Sequence, residues 1–250
     1  MRYALISDIH ANLPALEAVL ADLDGRDDVD AVYHLGDLVG YAPWPNEVVS
    51  LLAERGIPGI AGNYDSTTAT GYKHCGCTYE DPRQEELSHE SYAWTLAHVT
   101  EATKRALGAL PFRLDLRPLG GHLAGPTLFL VHGAPTLNTL YWTEDRSDAF
   151  CLKMAGRLGA KAGDVVAFGH THTPWRRDVD GIVFVNAGSA GRPKDGDWRA
   201  GYVIVEVGAE GAQVTVVRVE YDLARATAAI RESELPDEFA EILETGGTLS

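Results

Sequence analysis

The chain has 250 residues, 45% hydrophobic and 23% charged, with 36 acidic side chains against 21 basic ones and a formal net charge of -15. Such a length suits one large domain that buries its own core without staples. The acidic balance repels phosphate backbones and anionic bilayers, which excludes broad nucleic-acid binding and membrane partners, whereas a small anionic substrate would need local positive charge of the kind metal ions supply.

In chain order, short runs rich in β-branched and apolar residues each end in a polar cluster, and several lead into helical periodicity. Residues 3–6 predict a strand ending in Asp8-Ile9-His10. Residues 13–23 predict a helix with Leu13, Leu16, Val19, Leu20 and Leu23 on one face. Residues 31–35 predict a strand ending in Gly36-Asp37, and a helix over 45–54 follows, closed by Gly56. A third strand is expected over 57–61, ending in Gly62-Asn63-Tyr64-Asp65. Residues 66–86 predict a loop, and 88–107 are again helical in pattern.

Beyond Pro111 the chain turns strand-like. Strands over 112–116 and 128–131 flank a Gly-rich turn, and the second ends in His132-Gly133. Residues 165–168 lead into Gly169-His170-Thr171-His172, and 182–185 into Asn186-Ala187-Gly188-Ser189. Residues 202–207 and 214–219 predict a hairpin around the turn GAEG, and the tail over 223–243 is a helical pattern broken by Pro236. No repeat or linker divides the chain. The expectation is a mixed α/β layered sandwich forming a single domain over residues 1–250, with an excursion over 66–110 and a helical tail over 222–245.

Six polar clusters therefore close six predicted strands. Ligands bind beyond the carboxyl ends of strands in α/β sheets, so clusters far apart in sequence can converge there. Asp8, His10, Asp37, Asn63, His132, His170 and His172 are ligand types suited to divalent Mn, Fe, Co, Ni or Zn. No cysteine accompanies them, which argues against structural zinc. Each alone is a weak signal, since an Asp or His at a turn often caps it or satisfies the core. Their order and placement together carry the weight.

The series D-x-H, GD, GN-x-D, HG and GH-x-H resembles the calcineurin-like metallophosphoesterase family. LGDLVGY at residues 35–41 and NAGSAGRP at 186–193 are similar to its bacterial branch, and the resemblance runs over residues 3–207. It implies a four-layer α/β/β/α sandwich with two divalent metal ions at the strand ends. It also implies that Asp8, His10 and His172 hold one metal, that Asn63, His132 and His170 hold the other, and that Asp37 bridges them. The implied activity is hydrolysis of a small phosphoester by attack of a metal-bridging hydroxide, with His132 and Asn63 beside the reaction. A phosphodiesterase is the first expectation. A phosphomonoesterase or dinucleoside polyphosphate hydrolase is the second, and a non-catalytic scaffold on the same fold the third.

One motif departs from the family. Its common third motif is GNHD, whose His protonates the leaving group, and here the position is Tyr64. A phenol with an ordinary pKa of about 10 is a poor proton shuttle near neutral pH. Tyr64 either meets the substrate or packs over the site, with Asp65 as an orienting neighbour. Asn12, Arg192 and Lys194 are candidate substrate contacts, with a solvated loop as the alternative. Gly188 and Ser189 are expected to close their loop near the metals. His34 reads as a core histidine, and His89, His98 and His122 as surface ones. Cys75 and Cys77 could form a third metal or redox site, although a surface loop near the site mouth is the simpler reading. The odd count of three cysteines, the short apolar run at the N-terminus and the absence of a long apolar stretch predict a cytoplasmic protein.

Overall fold

The computed structural model describes residues 1–79, 81–117, 125–208 and 211–247. Two sheets stack face to face. The first has the order β2-β1-β8-β9, from β1 (Arg2–Ile6), β2 (Ala31–His34), β8 (Ala200–Gly208) and β9 (Gly211–Val219). The second has the order β3-β4-β5-β7-β6, from β3 (Arg113–Leu116), β4 (Leu128–Val131), β5 (Val165–Phe168), β6 (Trp175–Val179) and β7 (Ile182–Asn186). In the first sheet the edge strand β2 runs parallel to β1, and β8 and β9 continue antiparallel; in the second, β4, β5 and β7 are parallel, and the edge strands β3 and β6 are antiparallel to their neighbours.

Side-chain alternation builds the layers. Tyr3 and Leu5 of β1 enter a core between the sheets with Leu128 and Leu130 of β4 and Val203 and Val205 of β8. Ala4 and Ile6 point the other way, into a core shared with α1 (Leu13–Asp24), α2 (Pro45–Glu54), α7 (Leu223–Glu232) and α8 (Glu238–Thr245). Phe129 and Val131 of β4 and Val166 and Phe168 of β5 face a third core against α6 (Asp148–Leu158). Three cores separate four layers, so the fold is the α/β/β/α sandwich of the metallophosphoesterase type.

Two expected elements differ. Residues 57–61 form no strand, only an isolated parallel bridge between His34 and Gly59. Pro58 has no N–H to donate, and the Ala61 N–H leaves the sheet for the carbonyl of Pro111. The expected loop at 66–86 is helical at both ends, in α3 (Asn63–Thr70) and α4 (Pro82–His98), followed by α5 (Glu101–Gly108). Ser and Thr residues disguise α3, yet Ser66, Thr67 and Thr70 turn their hydroxyls back onto its carbonyls. Two elements escaped the sequence reading. The first is β6, which joins the expected strand β7 through a turn at Asp180-Gly181, both at positive φ; the second is α6, capped by Ser147 and closed by Gly159 at φ 75°. The expected Gly-rich turn and His122 fall largely in 118–124, and the middle of the GAEG turn is 209–210; these lie outside the described residues. No helix among the described residues is long and apolar enough to cross a membrane.

His34 sits at the end of β2 as the core histidine expected, buried with Nδ1 unpartnered. Burial pushes its pKa down to about 4. The unfolded chain, at about 6.5, binds the proton more readily, so stability is lost as pH falls from 6.5 towards 4. The loss attributable to this residue is up to about 3 kcal/mol. His34→Leu should flatten the acid side of a urea-midpoint profile, and an unchanged profile would remove His34 as the cause.

Candidate metal centre

The loops beyond β1, β2, β4, β5 and β7 converge at one end of the two sheets. Asp8, His10 and His172 place ligand atoms within 4.8 Å of one another, and Asp37, His132 and His170 do the same. All six are buried. Asp37 joins the groups, with Oδ2 at 3.3 Å from His132 Nε2 and 3.8 Å from His10 Nε2. Asn63 Oδ1 lies 3.1 Å from His132 Nε2. The structure thus brings together all seven residues expected to bind metal.

The hydrogen bonds behind these side chains decide what the centre wants. Carbonyls only accept, so each imidazole nitrogen facing one carries a proton. His10 Nδ1 meets the Val39 carbonyl at 3.0 Å, His132 Nδ1 that of Leu35 at 2.8 Å, and His172 Nδ1 that of Arg192 at 2.6 Å. In the neutral form each Nε2 is then a bare lone pair pointing inward. His10 Nε2 faces His172 Nε2 at 3.1 Å, and His132 Nε2 faces the Asn63 carbonyl oxygen, because the Asn63 amide donates elsewhere. Asp8 Oδ1 and His170 Nε2 are buried with no hydrogen-bond partner, and Asp8 Oδ1 faces His172 Nε2 at 3.3 Å. Acceptors facing acceptors at 3.1 Å repel unless a cation lies among them, so the donor set fits two divalent metals of the nitrogen- and oxygen-binding kind.

The charges of the centre's own side chains point the same way. Burial opposes a charge on His132, yet Asp37 outweighs it and lifts the imidazole to about 10. Burial and then His172 push His10 down to about 3, and burial and then His132 push His170 to about 3. Burial raises the Asp8 carboxyl, but the His172 imidazole leads a set of neighbours that brings it well below the carboxylate range. The centre holds positive charge even when a proton must supply it.

Strain and close approach place the ligands. Asp8, His10, Asp37, His170 and His172 all have φ between 48° and 68°, the left-handed region that non-glycine residues rarely enter. Nothing in residue type announces this. Two glycines let the loops close. A Cβ on Gly62 would lie 2.0 Å from Asp37 Oδ1, and one on Gly169 would lie 2.4 Å from Asp8 Oδ2. Asp65 is the residue that holds the Asp37 loop. Its carboxylate accepts from the N–H groups of Asp37 at 2.8 Å, Leu38 at 2.8 Å and Gly62 at 2.9 Å. Burial and then Asp37 raise its pKa to about 7. The Asp37 Oδ1 atom is in turn held by the Tyr64 N–H at 2.9 Å, which leaves Oδ2 for the centre.

A calcineurin-like phosphoesterase superfamily domain matches residues 1–210. The chain belongs to that superfamily. A metallophosphoesterase from Sphaerobacter thermophilus is 30% identical, with 98% of this chain and 99% of that one covered and a TM-score of 0.73. Protein MJ0912 of Methanocaldococcus jannaschii is 27% identical over 267 residues, covering 97% of each chain. Hypothetical protein PH1004 from Pyrococcus horikoshii OT3 shares the fold at a TM-score of 0.81 and 23% identity, covering 99% of each chain.

The remaining candidates of this metallophosphoesterase take distinct places. Tyr64 is buried in an aromatic set with Tyr41 and Tyr92, its ring edge-on to His10 at 5.5 Å, and its hydroxyl is 3.5 Å from Ser88. Asn12 is fully buried; it caps α1 at Ala15 and donates to the Gly191 carbonyl at 2.8 Å. The Arg192 guanidinium lies 4.2 Å over the Tyr41 ring, buried, with Nε unpartnered. Lys194 is exposed to solvent and lies near enough to His172 and Arg192 for their charges to interact. Ser189 ties its loop to the Asp8 carbonyl at 2.6 Å. Sequence reading passed over Ser7, whose hydroxyl holds Asp8 Oδ2 at 2.6 Å, and Tyr141, whose ring packs on His170 at 4.6 Å. Neither carries a motif that marks it.

Proposed function

We propose that this chain is a binuclear metal-dependent phosphodiesterase acting on a small phosphoester. The observation that carries the reading is the cage of inward-facing acceptors, with Asp8, His10 and His172 at one position, Asn63, His132 and His170 at the other, and Asp37 between. Two divalent cations, Mn, Fe, Ni, Co or Zn, would supply Lewis acidity and a deprotonated water at neutral pH. The chain's own residues supply the rest. Asp37 carries the negative charge that two adjacent cations require. Asp65 and the Tyr64 N–H fix its orientation. Arg192 and Lys194 place positive charge beside His172, where a phosphate oxygen would otherwise meet only an acidic protein. Asn12 acts as a positioning residue that joins the Gly191 loop to α1.

The diester preference rests on Tyr64. Its hydroxyl is turned towards Ser88, and its pKa is pushed well above 10 by burial and then by Tyr41. No group at that place hands a proton to a departing alkoxide. Diesters with good leaving groups need little protonation, so turnover should fall steeply as leaving-group pKa rises. Tyr64→His should flatten that slope, whereas Tyr64→Phe should leave it unaltered. The measurement is a leaving-group series on all three forms at fixed Mn²⁺. A drop of ~10² or more for Tyr64→Phe with poor leaving groups would restore an acid role to the phenol and overturn this assignment.

A further inference from the structure

The segment His74-Cys75-Gly76-Cys77 lies directly behind one of the metal-facing residues. The Asn63 amide nitrogen donates to the Cys75 carbonyl at 3.1 Å and to Cys77 Sγ at 3.2 Å. Those two contacts aim Asn63 Oδ1 at the centre. The loop is fastened further by Cys75 Sγ to Ser88 at 3.3 Å, Tyr79 to Ser88 at 2.8 Å and Tyr141 to the Thr78 carbonyl at 3.3 Å. Gly76 turns the chain between the cysteines at φ 82°, and the Cys77 N–H reaches back to Cys75 Sγ at 3.5 Å. Two Cα atoms separated by one residue are at most ~7 Å apart, which covers the ~4.4–6.8 Å that disulfides span. Both thiols are free, Cys77 partly exposed and Cys75 buried.

We propose that Cys75 and Cys77 form a peroxide-driven disulfide that releases Asn63 and weakens cation binding at the Asn63, His132 and His170 position. This rests on the two-metal reading above. The Cys77 sulfur, the more accessible one, attacks a peroxide oxygen. An S–O bond forms, the O–O bond breaks, and water leaves, giving a sulfenic acid. The Cys75 sulfur then attacks the Cys77 sulfur. An S–S bond forms, the S–O bond breaks, and a second water carries off the Cys75 proton. Two thiols and one hydrogen peroxide become one disulfide and two waters. Closing the small ring turns the Cys75 carbonyl and replaces the Cys77 thiol, so both acceptors of the Asn63 amide change together. Loss of such a supporting partner typically costs 10–100-fold in metal affinity.

The test takes the full metal-free chain, reduced or treated with hydrogen peroxide and then catalase. Peptide mass spectrometry reads the disulfide, and calorimetric titration reads Mn²⁺ binding. Oxidation should remove two hydrogens from the 75–77 segment, weaken one of two Mn²⁺ positions by about 10–100-fold and leave the other unchanged, with dithiothreitol restoring both. Cys77→Ser should show the same binding before and after peroxide. A treated chain that keeps both thiols, or one that forms the disulfide with both positions unchanged, would overturn the switch while leaving the two-metal reading intact. A reduced chain that takes up no Mn²⁺ would sink that reading and the switch with it.

Discussion

Asp37→Asn is expected to strip both metal positions at once, lowering Mn²⁺ affinity at each by at least ~10²-fold. Among the described residues, Asp37 is the side chain whose carboxylate oxygen faces His10 on one side and His132 on the other. An amide keeps the shape and can still accept the Tyr64 N–H through Oδ1. It removes the negative charge that offsets repulsion between two cations ~3.5–4 Å apart. Its NH₂ would instead donate to the bare His132 Nε2, so the fold should tolerate the change. The expected result is an unaltered or raised melting temperature, metal content near zero after dialysis, and hydrolysis lost with the metal. A variant that keeps two equivalents of metal and its rate would show that Asp37 does not bridge.

Asp65→Ala is expected to damage both stability and metal binding, unlike Asp37→Asn. It orphans the buried N–H groups of Asp37, Leu38 and Gly62 together. Each unsatisfied buried group costs ~1–3 kcal/mol, so the loss should exceed about 3 kcal/mol. The loop carrying Asp37 then has no reason to hold its left-handed conformation, and metal affinity should fall in parallel. Urea denaturation of the metal-free chain separates the two effects. A midpoint shift worth under about 1 kcal/mol would mean that backbone strain, not Asp65, sets the loop.

Much of this was visible in residue order alone. Short apolar runs at β1, β4, β5 and β8 exposed the layered α/β architecture, and the polar clusters that close such runs exposed all seven inward-facing ligand types. Four things were hidden for physical reasons. Ser- and Thr-rich α3 has poor intrinsic propensity and is held by side-chain bonds to its own carbonyls and by packing on α5, neither of which a propensity scan detects. Left-handed φ at Asp8, His10 and Asp37 is imposed by tertiary contacts such as the Asp8 N–H on the Gly36 carbonyl. Asp65 reads in sequence as a partner for residue 64, and only the fold reveals that it organises residue 37. Ser7 and Tyr141 became site neighbours through packing that no spacing encodes.

Two cations should fill the acceptor cage, and anomalous diffraction from crystals grown with Mn²⁺ reads their positions directly. Two anomalous peaks ~3.5–4 Å apart are expected. One should lie among Asp8, His10 and His172, the other among Asn63, His132 and His170, with Asp37 touching both. A single peak, none, or peaks elsewhere on the chain would contradict that expectation.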